Sequence, residues 1–422
     1  MAASILDDLA WRGLIAHSTD LSALGDELAG GPLTLYCGFD PTGPSLHFGN
    51  LLQLVTMRRL QLAGHLPIAV VGGATGLIGD PSGQSVERSL NEAEVVAEWV
   101  TRIRAQVERL LEFSGPAAAR IVNNLEWTAP VSALDFLREV GKHFSVNRML
   151  DKESVSARLE GPGISFTEFS YQVLQAFDYL ELFRRYRCTL QTGGSDQWGN
   201  LTAGVDLIRR VTGESVHAVA TPLITKGDGT KHGKTAGGSL WLDPQLTSPY
   251  AFYQYFVNSE DADVGALLKV FSLRGREEIE ALEAETAGHP EARAAHQALA
   301  AELTAMVHGA DAATQAIAAS AALFGQGDLR ELDSPTLAAA LAELPHAEVR
   351  GPLPDLADLL VATGLAKSRS AARRTVADGG AYVNNQRHSD PAVAPGEADL
   401  LHGRWLVLRR GKRSLAAIEK VS

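Results

Sequence analysis

Short apolar segments that end in glycine-rich loops are the feature that most constrains the fold of this chain. Residues 33–38 (LTLYCG) and 66–73 (LPIAVVGG) are rich in β-formers, and residues 187–200 (RCTLQTGGSDQWGN) repeat the pattern. Between the first two, apolar residues at helical spacing run from Leu46 to a cap near Gly64. This alternation predicts an α/β fold with a parallel sheet. Ligands of such sheets lie beyond the carboxyl ends of the strands, so the three loops are expected to meet at one site.

The rest of the chain divides into segments of different character. After Pro249 the pattern is helical, and residues 277–323 are rich in alanine and charge. Residues 345–354 have the composition of a linker. We therefore predict an α/β domain at 1–247, a helical domain at 248–344, a linker at 345–354 and a small α+β domain at 355–422.

The composition excludes several classes of protein. A chain of 422 residues with 45% apolar and 21% charged residues needs more than one core and is not disordered. It has neither a run of about 20 apolar residues nor a signal-peptide pattern, so we expect a cytoplasmic protein with no membrane association. Cys37 and Cys188 are too few for a disulfide framework or a four-cysteine zinc site.

Charge is distributed unevenly along the chain. The formal net charge of -12 argues against unspecific coating of nucleic acid, and no DNA partner is expected. Residues 353–422 nevertheless hold eleven lysines and arginines against seven acids, which leaves the remainder near -16. A nucleic-acid surface is therefore expected only at this end.

The segment GFDPTGPSLHFGNL at 38–51 closes a strand and opens a helix. A helix start presents unpaired N–H groups and a positive dipole, which suit a phosphate. Thr42, His47 and Asn50 would add hydrogen-bond donors there. By itself, the segment could equally be a helix start with incidental polar residues.

The segment TKGDGTKHGKT at 225–235 combines glycines with lysines. The glycines give conformational freedom, and Lys231 and Lys234 supply point charges for a polyphosphate. In isolation, a surface loop without function is the commoner explanation.

The segment TEFSYQVLQAFDYLELF at 167–183 places Tyr171, Gln175 and Asp178 on one helix face, at spacings of four and three. A carboxylate among aromatic residues is costly unless a donor faces it, and a phenolic hydroxyl is a suitable donor. The alternative is an amphipathic helix whose polar face meets water.

Taken together, these segments resemble a known family. HFGN and the later lysine segment, in this order, resemble the two signatures of class I aminoacyl-tRNA synthetases, although Asn50 replaces the last histidine of the first. SYQVLQAFDYL resembles the tyrosine-binding helix of tyrosyl-tRNA synthetases almost residue for residue. The resemblance spans nearly the whole chain. It implies a Rossmann-like parallel-sheet catalytic domain, a helical anticodon-binding domain and a small α+β RNA-binding domain.

The resemblance also implies roles for individual residues. Tyr36 and Asp178 would hold a substrate phenol, and Tyr171, Gln175 and Asp80 would hold its ammonium group. Further neighbours of the tyrosine would be Gln191, Gln197, Asn124 and Asp40. The ATP site would comprise Gly38, His47, Asn50, Gly194, Asp196, Leu223, Ile224, Lys231 and Lys234. The groups expected to act in catalysis are Thr42, His47, Asn50, Lys231 and Lys234.

The C-terminal segment SRSAARRTVADGGAYVNNQ is similar to a small RNA-binding module. The cations expected to grip phosphates are Arg369, Arg373, Arg374, Lys412 and Arg413. A solvated basic face is the alternative.

In the loop after Asp80, Gln84 and Ser85 stand where relatives often have lysines, which leaves Arg88 as the cation of that loop.

The function implied is a tyrosine-tRNA ligase that forms tyrosyl-adenylate from L-tyrosine and ATP, then loads the 3′-terminal adenosine of tRNA(Tyr). Mg²⁺ is expected with the ATP, no protein metal site is expected, and a homodimer is implied. A tryptophan-specific relative remains an alternative, but it should lack an acid placed like Asp178. A catalytically silent RNA-binding protein is another, and His47, Lys231 and Lys234 argue against it.

Overall fold

The protein is described by a computed structural model that covers residues 4–82, 90–150, 153–159, 163–226, 229–230, 232–235, 238–411 and 414–421. It forms two compact units. The first comprises Met1–Asp243 and Glu260–Gly288, and the second comprises Pro244–Ser259 and His289–Ser422. Among the described residues, no helix has both the length and the apolar character needed to cross a membrane.

The first unit is built on a sheet that has six strands within the described residues, in the order β1-β6-β5-β2-β3-β4. Its strands are β1 (His17–Ser18), β2 (Thr34–Phe39), β3 (Leu66–Val71), β4 (Arg120–Asn123), β5 (Cys188–Gly194) and β6 (His217–Thr221). Neighbouring strands from β4 to β6 are parallel, and only β1 is antiparallel to its neighbour. The predicted α/β class is confirmed.

Helices precede and connect the strands of this sheet. They are α1 (Ile5–Trp11), α2 (Leu21–Gly30), α3 (Phe48–Leu62), α4 (Ala93–Leu110), α5 (Leu125–Thr128), α6 (Ala133–Glu139), α7 (Val146–Leu150), α8 (Glu153–Leu159), α9 (Phe166–Tyr186) and α10 (Trp198–Thr212). The strands β7 (Lys234–Thr235) and β8 (Gly238–Ser239) pair as a short antiparallel ribbon. The predicted helix between β2 and β3 is thus α3.

Helix α9 is the element that carries the predicted phenol site, and its ends follow from local sequence. The Ser165 side chain caps its N-terminus by accepting from the Glu168 N–H, and Arg187 ends it in the left-handed region at φ 54°. Its apolar side packs on α10, where a side chain at Gly204 would approach Tyr179 Cδ1 to 2.8 Å. Glycine is therefore required for α9 and α10 to lie this close.

The chain then passes to the second unit and back. Helix α11 (Pro249–Val257) belongs to the second unit, whereas α12 (Asp261–Phe271) and α13 (Arg276–Gly288) return to the first. The predicted helical domain at 248–344 is thus divided between the units. Buried Arg12 and Arg59 account for this, since both donate to backbone carbonyls at the end of α12.

The second unit joins helices to a second sheet. Its remaining helices are α14 (Ala294–His308), α15 (Ala310–Leu323), α16 (Ser334–Ala342), α17 (Leu356–Ala362) and α18 (Arg369–Ala377). The strands β9 (His346–Arg350), β10 (Ala381–Val383), β11 (Gln386–His388), β12 (Trp405–Arg410) and β13 (Ser414–Val421) form a sheet in the order β11-β10-β12-β13-β9. Leu323, Leu337 and Trp405 share one core cluster, which packs α15 and α16 against β12.

The segment 345–354 differs from the prediction of a linker. It contains β9, which runs parallel to β13 with Ala347 opposite Ile418. Ala347 and Val349 alternate with exposed residues, and this half-buried pattern suits an edge strand. Gly351, at φ 80°, follows the strand. Its glycine and proline therefore mark the end of a strand.

Candidate active site

The carboxyl ends of β2, β3 and β5 open onto a cavity of about 440 Å³ in the first unit. Most of the residues predicted for the site line it, namely Tyr36, Gly38, Asp40, Thr42, His47, Asn50, Asp80, Asn124, Tyr171, Gln175, Asp178, Gly194, Asp196, Gln197, Leu223 and Ile224. The loops therefore meet as the parallel topology requires.

At one end of the cavity, Asp178 is a buried acid with two donors already in place. Its side chain accepts from Asn124 Nδ2 at 2.9 Å and from Trp127 Nε1 at 2.8 Å, one donor on each oxygen. The nearby Tyr36 hydroxyl is also buried, and it makes no hydrogen bond to any described residue. A buried hydroxyl without a partner costs free energy, so it indicates a polar group supplied by a ligand.

Burial sets the protonation of these groups. It raises the pKa of Asp178 to about 7, although the hydrogen bonds from Asn124 and Trp127 oppose the shift. Burial, followed by the Asp178 carboxylate, raises the pKa of Tyr36 well above its usual value. Tyr36 therefore keeps its proton near neutral pH and can donate it in a hydrogen bond.

A hydrogen-bonded chain links Asp178 to the middle of the cavity. Asn124 Nδ2 also donates to Thr75 Oγ1 at 2.9 Å, and Thr75 donates to Asp40 Oδ1 at 2.6 Å. The Tyr171 hydroxyl donates to Asp40 Oδ2 at 2.5 Å. Burial raises the pKa of Tyr171 further than Asp40 does, which keeps this donor protonated. Asp40 is thereby fixed between two hydroxyls.

A third carboxylate, Asp80, also lines the cavity. It accepts from Gln197 Nε2 at 2.6 Å and from the Ser82 backbone N–H at 2.9 Å. Asn200 Nδ2 donates to Gln197 Oε1 at 2.9 Å, which fixes the orientation of that amide. The Asp80 side chain is thus held in one orientation. Among the described residues, no cluster of three or more histidines, cysteines and acids could hold a metal ion.

The start of α3 is held by its own signature residues. The His47 ring accepts from the Gly49 N–H at 3.1 Å, and Asn50 Oδ1 accepts from the His47 N–H at 3.1 Å. This is a capping box. The oxygen of Asn50 serves the cap, and its amide N–H groups can donate to a ligand.

The lysine segment packs against this helix start. Gly233 has φ +81°, and a side chain there would approach Phe48 Cβ to 2.5 Å. Lys234 begins β7, and nothing is described of its side chain. Lys231, Gln84, Ser85, Arg88, Lys412 and Arg413 lie outside the described residues.

Sequence reasoning missed several residues that hold the site together. Thr75, Trp127 and Asn200 bind the predicted acids and amides. Asn200 ends the glycine-rich segment 187–200 and Thr75 closely follows the segment 66–73, whereas no pattern marks Trp127. Gln191, predicted beside the tyrosine, does not line the cavity. It is buried opposite Tyr36 in the β2–β5 register, with Oε1 unbonded by any described residue.

The basic residues of the C-terminal module differ in their surroundings. Arg373 and Arg374 are exposed on α18. Arg369 lies 2.7 Å from Asp355 and 3.1 Å from Asp358, so its charge is already balanced within the module.

Comparison with known proteins identifies the family. A model of "tRNA synthetases class I (W and Y)" matches residues 28–325, and a model of the "Tyrosine--tRNA ligase SYY-like C-terminal domain" matches residues 336–418. The chain is 62% identical over 417 residues to a tyrosine--tRNA ligase of Streptomyces avermitilis, covering 98% of both chains. The chain belongs to the tyrosine-tRNA ligase family. A ligase of Mycobacterium leprae is 58% identical over 428 residues and the full length of both chains.

Solved structures of a tyrosyl- and a tryptophanyl-tRNA synthetase agree with this chain in fold. A C-terminally truncated mitochondrial tyrosyl-tRNA synthetase from Coccidioides posadasii has a TM-score of 0.66 at 29% identity, covering 74% of this chain and 90% of that one. A tryptophanyl-tRNA synthetase from Encephalitozoon cuniculi has a TM-score of 0.52 at 14% identity, covering 79% and 89%, which shows a shared fold alone. The family models and the relatives make the chain an aminoacyl-tRNA synthetase, and neither a tryptophan-specific enzyme nor a silent protein is favoured.

Proposed function

We propose that this cavity activates L-tyrosine with ATP and that the chain then loads tRNA(Tyr). The observation that carries the proposal is that a buried acid, Asp178, and the unbonded hydroxyl of Tyr36 line the same cavity. A substrate phenol placed there donates to Asp178 and accepts from Tyr36. The pair distinguishes tyrosine from phenylalanine because, without the substrate hydroxyl, the Tyr36 hydroxyl stays unbonded and Asp178 keeps only the donors Asn124 and Trp127.

The remaining groups orient the amino acid. Asp80 balances the substrate ammonium, and Tyr171 and Gln175 line the same region and can accept from it. Gln197, held by Asp80 and Asn200, lies near the reacting carboxylate. Asp40 and Asn124 keep the surrounding donors fixed, and Gln191 supports the site from behind Tyr36. Positioning of this kind contributes most of the catalysis in phosphoryl-group chemistry.

ATP binds with its Mg²⁺ along the other side of the cavity. The adenosine is held by backbone groups of Gly38, Gly194, Leu223 and Ile224 and by the Asp196 carboxylate, which accepts from ribose hydroxyls. Thr42, His47 and Asn50 face the phosphates at the start of α3. Lys231 and Lys234 neutralise pyrophosphate as it leaves. The tyrosine carboxylate attacks the α-phosphorus, and pyrophosphate departs.

Pyrophosphate exchange with ATP and each amino acid in turn tests the proposal. We expect exchange that depends on tyrosine. Exchange with tryptophan instead would indicate the tryptophan-specific alternative, and no exchange with any amino acid would indicate a silent protein.

The pKa of Asp178 predicts how tyrosine binding depends on pH. Because the phenol donates to an ionised carboxylate, binding favours the deprotonated acid. With a pKa of about 7 in the free protein, tyrosine affinity should rise about tenfold from pH 6 to pH 8. Titration calorimetry over this range measures it. Phenylalanine, which lacks the hydroxyl, should show no such rise, and a flat profile for tyrosine would contradict the assignment.

The protein acts as a cytoplasmic homodimer. Support comes from large apolar side chains that remain exposed on α5 to α9, at Leu125, Leu134, Leu137, Val146, Leu150, Leu159 and Phe166. Leu134 is 80% exposed and Phe166 77%. A soluble monomer seldom leaves such a concentration of apolar side chains in water. A second copy of the chain covers this patch, which we call the α5–α9 patch.

The second unit binds tRNA. Helices within 248–344 recognise the anticodon, and the module at 355–422 grips phosphates through Arg373 and Arg374 together with Lys412 and Arg413. Arg369 contributes less, because Asp355 and Asp358 already pair with it. Phosphate contacts of this kind add affinity without base selectivity.

A further inference from the structure

His232 lies between the two lysines of the lysine segment and contacts two other elements of the first unit. Its ring stacks on Phe48, with centroids 6.0 Å apart and planes 25° apart. Its Nε2 lies 3.4 Å from Oδ2 of Asp263, and the two side chains are only 4% and 12% exposed. Phe48 directly follows His47 in sequence. The two signature segments therefore meet at this imidazole.

Helix α12, which carries Asp263, is held in place by contacts at its C-terminal end. At its C-terminal end, Arg12 and Arg59 donate to backbone carbonyls, those of Lys269, Val270, Ser272 and Arg274. Cations there complement the helix dipole, as an acid does in the first turn. Phe271 packs on Phe48 with ring centroids 4.7 Å apart. The helix is thus a rigid support beside the start of α3.

We propose that His232 is a positioning residue, which contacts Asp263 and thereby holds the lysine segment against the start of α3 during adenylate formation. This His232–Asp263 latch rests on the proposed function. Oδ2 of Asp263 accepts no hydrogen bond of ordinary geometry from the described residues. A carboxylate so little exposed needs a compensating group, and the imidazole is placed to be one.

The latch matters because the segment it holds is rich in glycine. Gly229 and Gly233 both have positive φ, at 82° and 81°, and a glycine segment loses much conformational entropy when it is fixed. Lys231 and Lys234 can stabilise leaving pyrophosphate only if they are held near it. A contact that is made before ATP binds removes part of this ordering cost from the chemical step.

Two variants test the latch from its two sides. His232→Phe keeps a ring on Phe48 but removes Nε2, and Asp263→Ala removes the carboxylate. In tyrosine-dependent exchange, each should lower kcat about 10- to 100-fold. The KM for tyrosine should stay within about twofold, because the phenol site is intact. His232→Gln, whose amide N–H replaces Nε2, should restore most of the rate.

The double variant separates a latch from two unrelated effects. If the residues act through each other, the double variant should be no slower than the slower single variant. His217→Gln is the matched control. His217 Nε2 lies 3.2 Å from Glu27 Oε2, a similar contact that does not involve the lysine segment. It should keep kcat within about twofold.

The outcomes distinguish failure of the latch from failure of the proposed function. Folded His232→Phe and Asp263→Ala variants with unchanged kcat, or losses that multiply in the double variant, would overturn the latch. If His232→Phe does not fold, the Asp263→Ala variant and the Asp263→Ala/His232→Gln double variant are used instead. An unchanged kcat in Asp263→Ala, or losses that multiply in this double variant, would then overturn the latch. Absence of tyrosine-dependent exchange in the unaltered chain would instead remove the function on which the latch rests.

Discussion

Replacing Asp178 with alanine is expected to lower kcat/KM for tyrosine about 10³- to 10⁴-fold while leaving the rate with phenylalanine nearly unchanged. The variant loses the acceptor for the phenol, and the Asn124 and Trp127 donors lose their partner. Sites built to hydrogen-bond a substrate hydroxyl reject the analogue that lacks it about 10⁴- to 10⁵-fold, with tyrosine enzymes of this family as an example, so Asp178 would carry most of this factor. Discrimination between tyrosine and phenylalanine should therefore nearly disappear.

Exchange kinetics with both amino acids measure this effect, and far-UV circular dichroism checks the fold. The matched control is Asp206→Ala on α10, because Asp206 is a surface acid paired with Arg209. Its rates should stay within about twofold of the unaltered chain. If the Asp178 variant kept its selectivity for tyrosine, the phenol site would lie elsewhere.

Introducing aspartate at both Leu134 and Phe166 is expected to convert the proposed dimer to monomers. A two-fold interface presents each residue twice, so the double variant places four carboxylates in it. At about 2 kcal/mol for each unpaired polar group, the Kd of the dimer should rise about 10⁵- to 10⁶-fold. Sedimentation velocity at micromolar concentration measures the change.

The control for the interface is Leu62→Asp. Leu62 is also an exposed leucine, but it ends α3 and lies outside the α5–α9 patch. That variant should sediment with the unaltered chain. A monomeric unaltered protein, or a dimer that tolerates the four carboxylates, would contradict the assignment of this patch.

The parts of the fold that are local in sequence could be predicted from it. The segments 33–38, 66–73 and 187–200 contain the strands β2, β3 and β5. They could be recognised because a buried parallel strand is a short apolar run, here followed by glycine. Strand β9 could not be predicted in this way. Its five residues pair with the last strand of the chain, and nothing near them in sequence indicates that partner.

The residues of the site likewise divide into those that local sequence indicates and those that depend on distant partners. Its acids and its helix start carry motif signals, and the structure places them around one cavity. Most of the residues that hold them carry none, because their effect depends on tertiary contacts. In the sequence, Trp127 cannot be distinguished from an ordinary core tryptophan. Its indole N–H nevertheless donates to Asp178, which lies 51 positions further along the chain. Asp263 likewise lies 31 positions from its partner His232, in a helix whose sequence resembles any surface helix.

The alternation of the chain between the two units limits how such a protein can be rearranged by recombination. The backbone leaves the first unit after residue 243, returns to it at 260 and leaves again after 288. A crossover at any single one of these points would separate α12 from Arg12 and Arg59 or leave α11 without the core that buries it. Exchange of one whole unit between two such genes would therefore require several crossovers at once. This favours inheritance of the two units together.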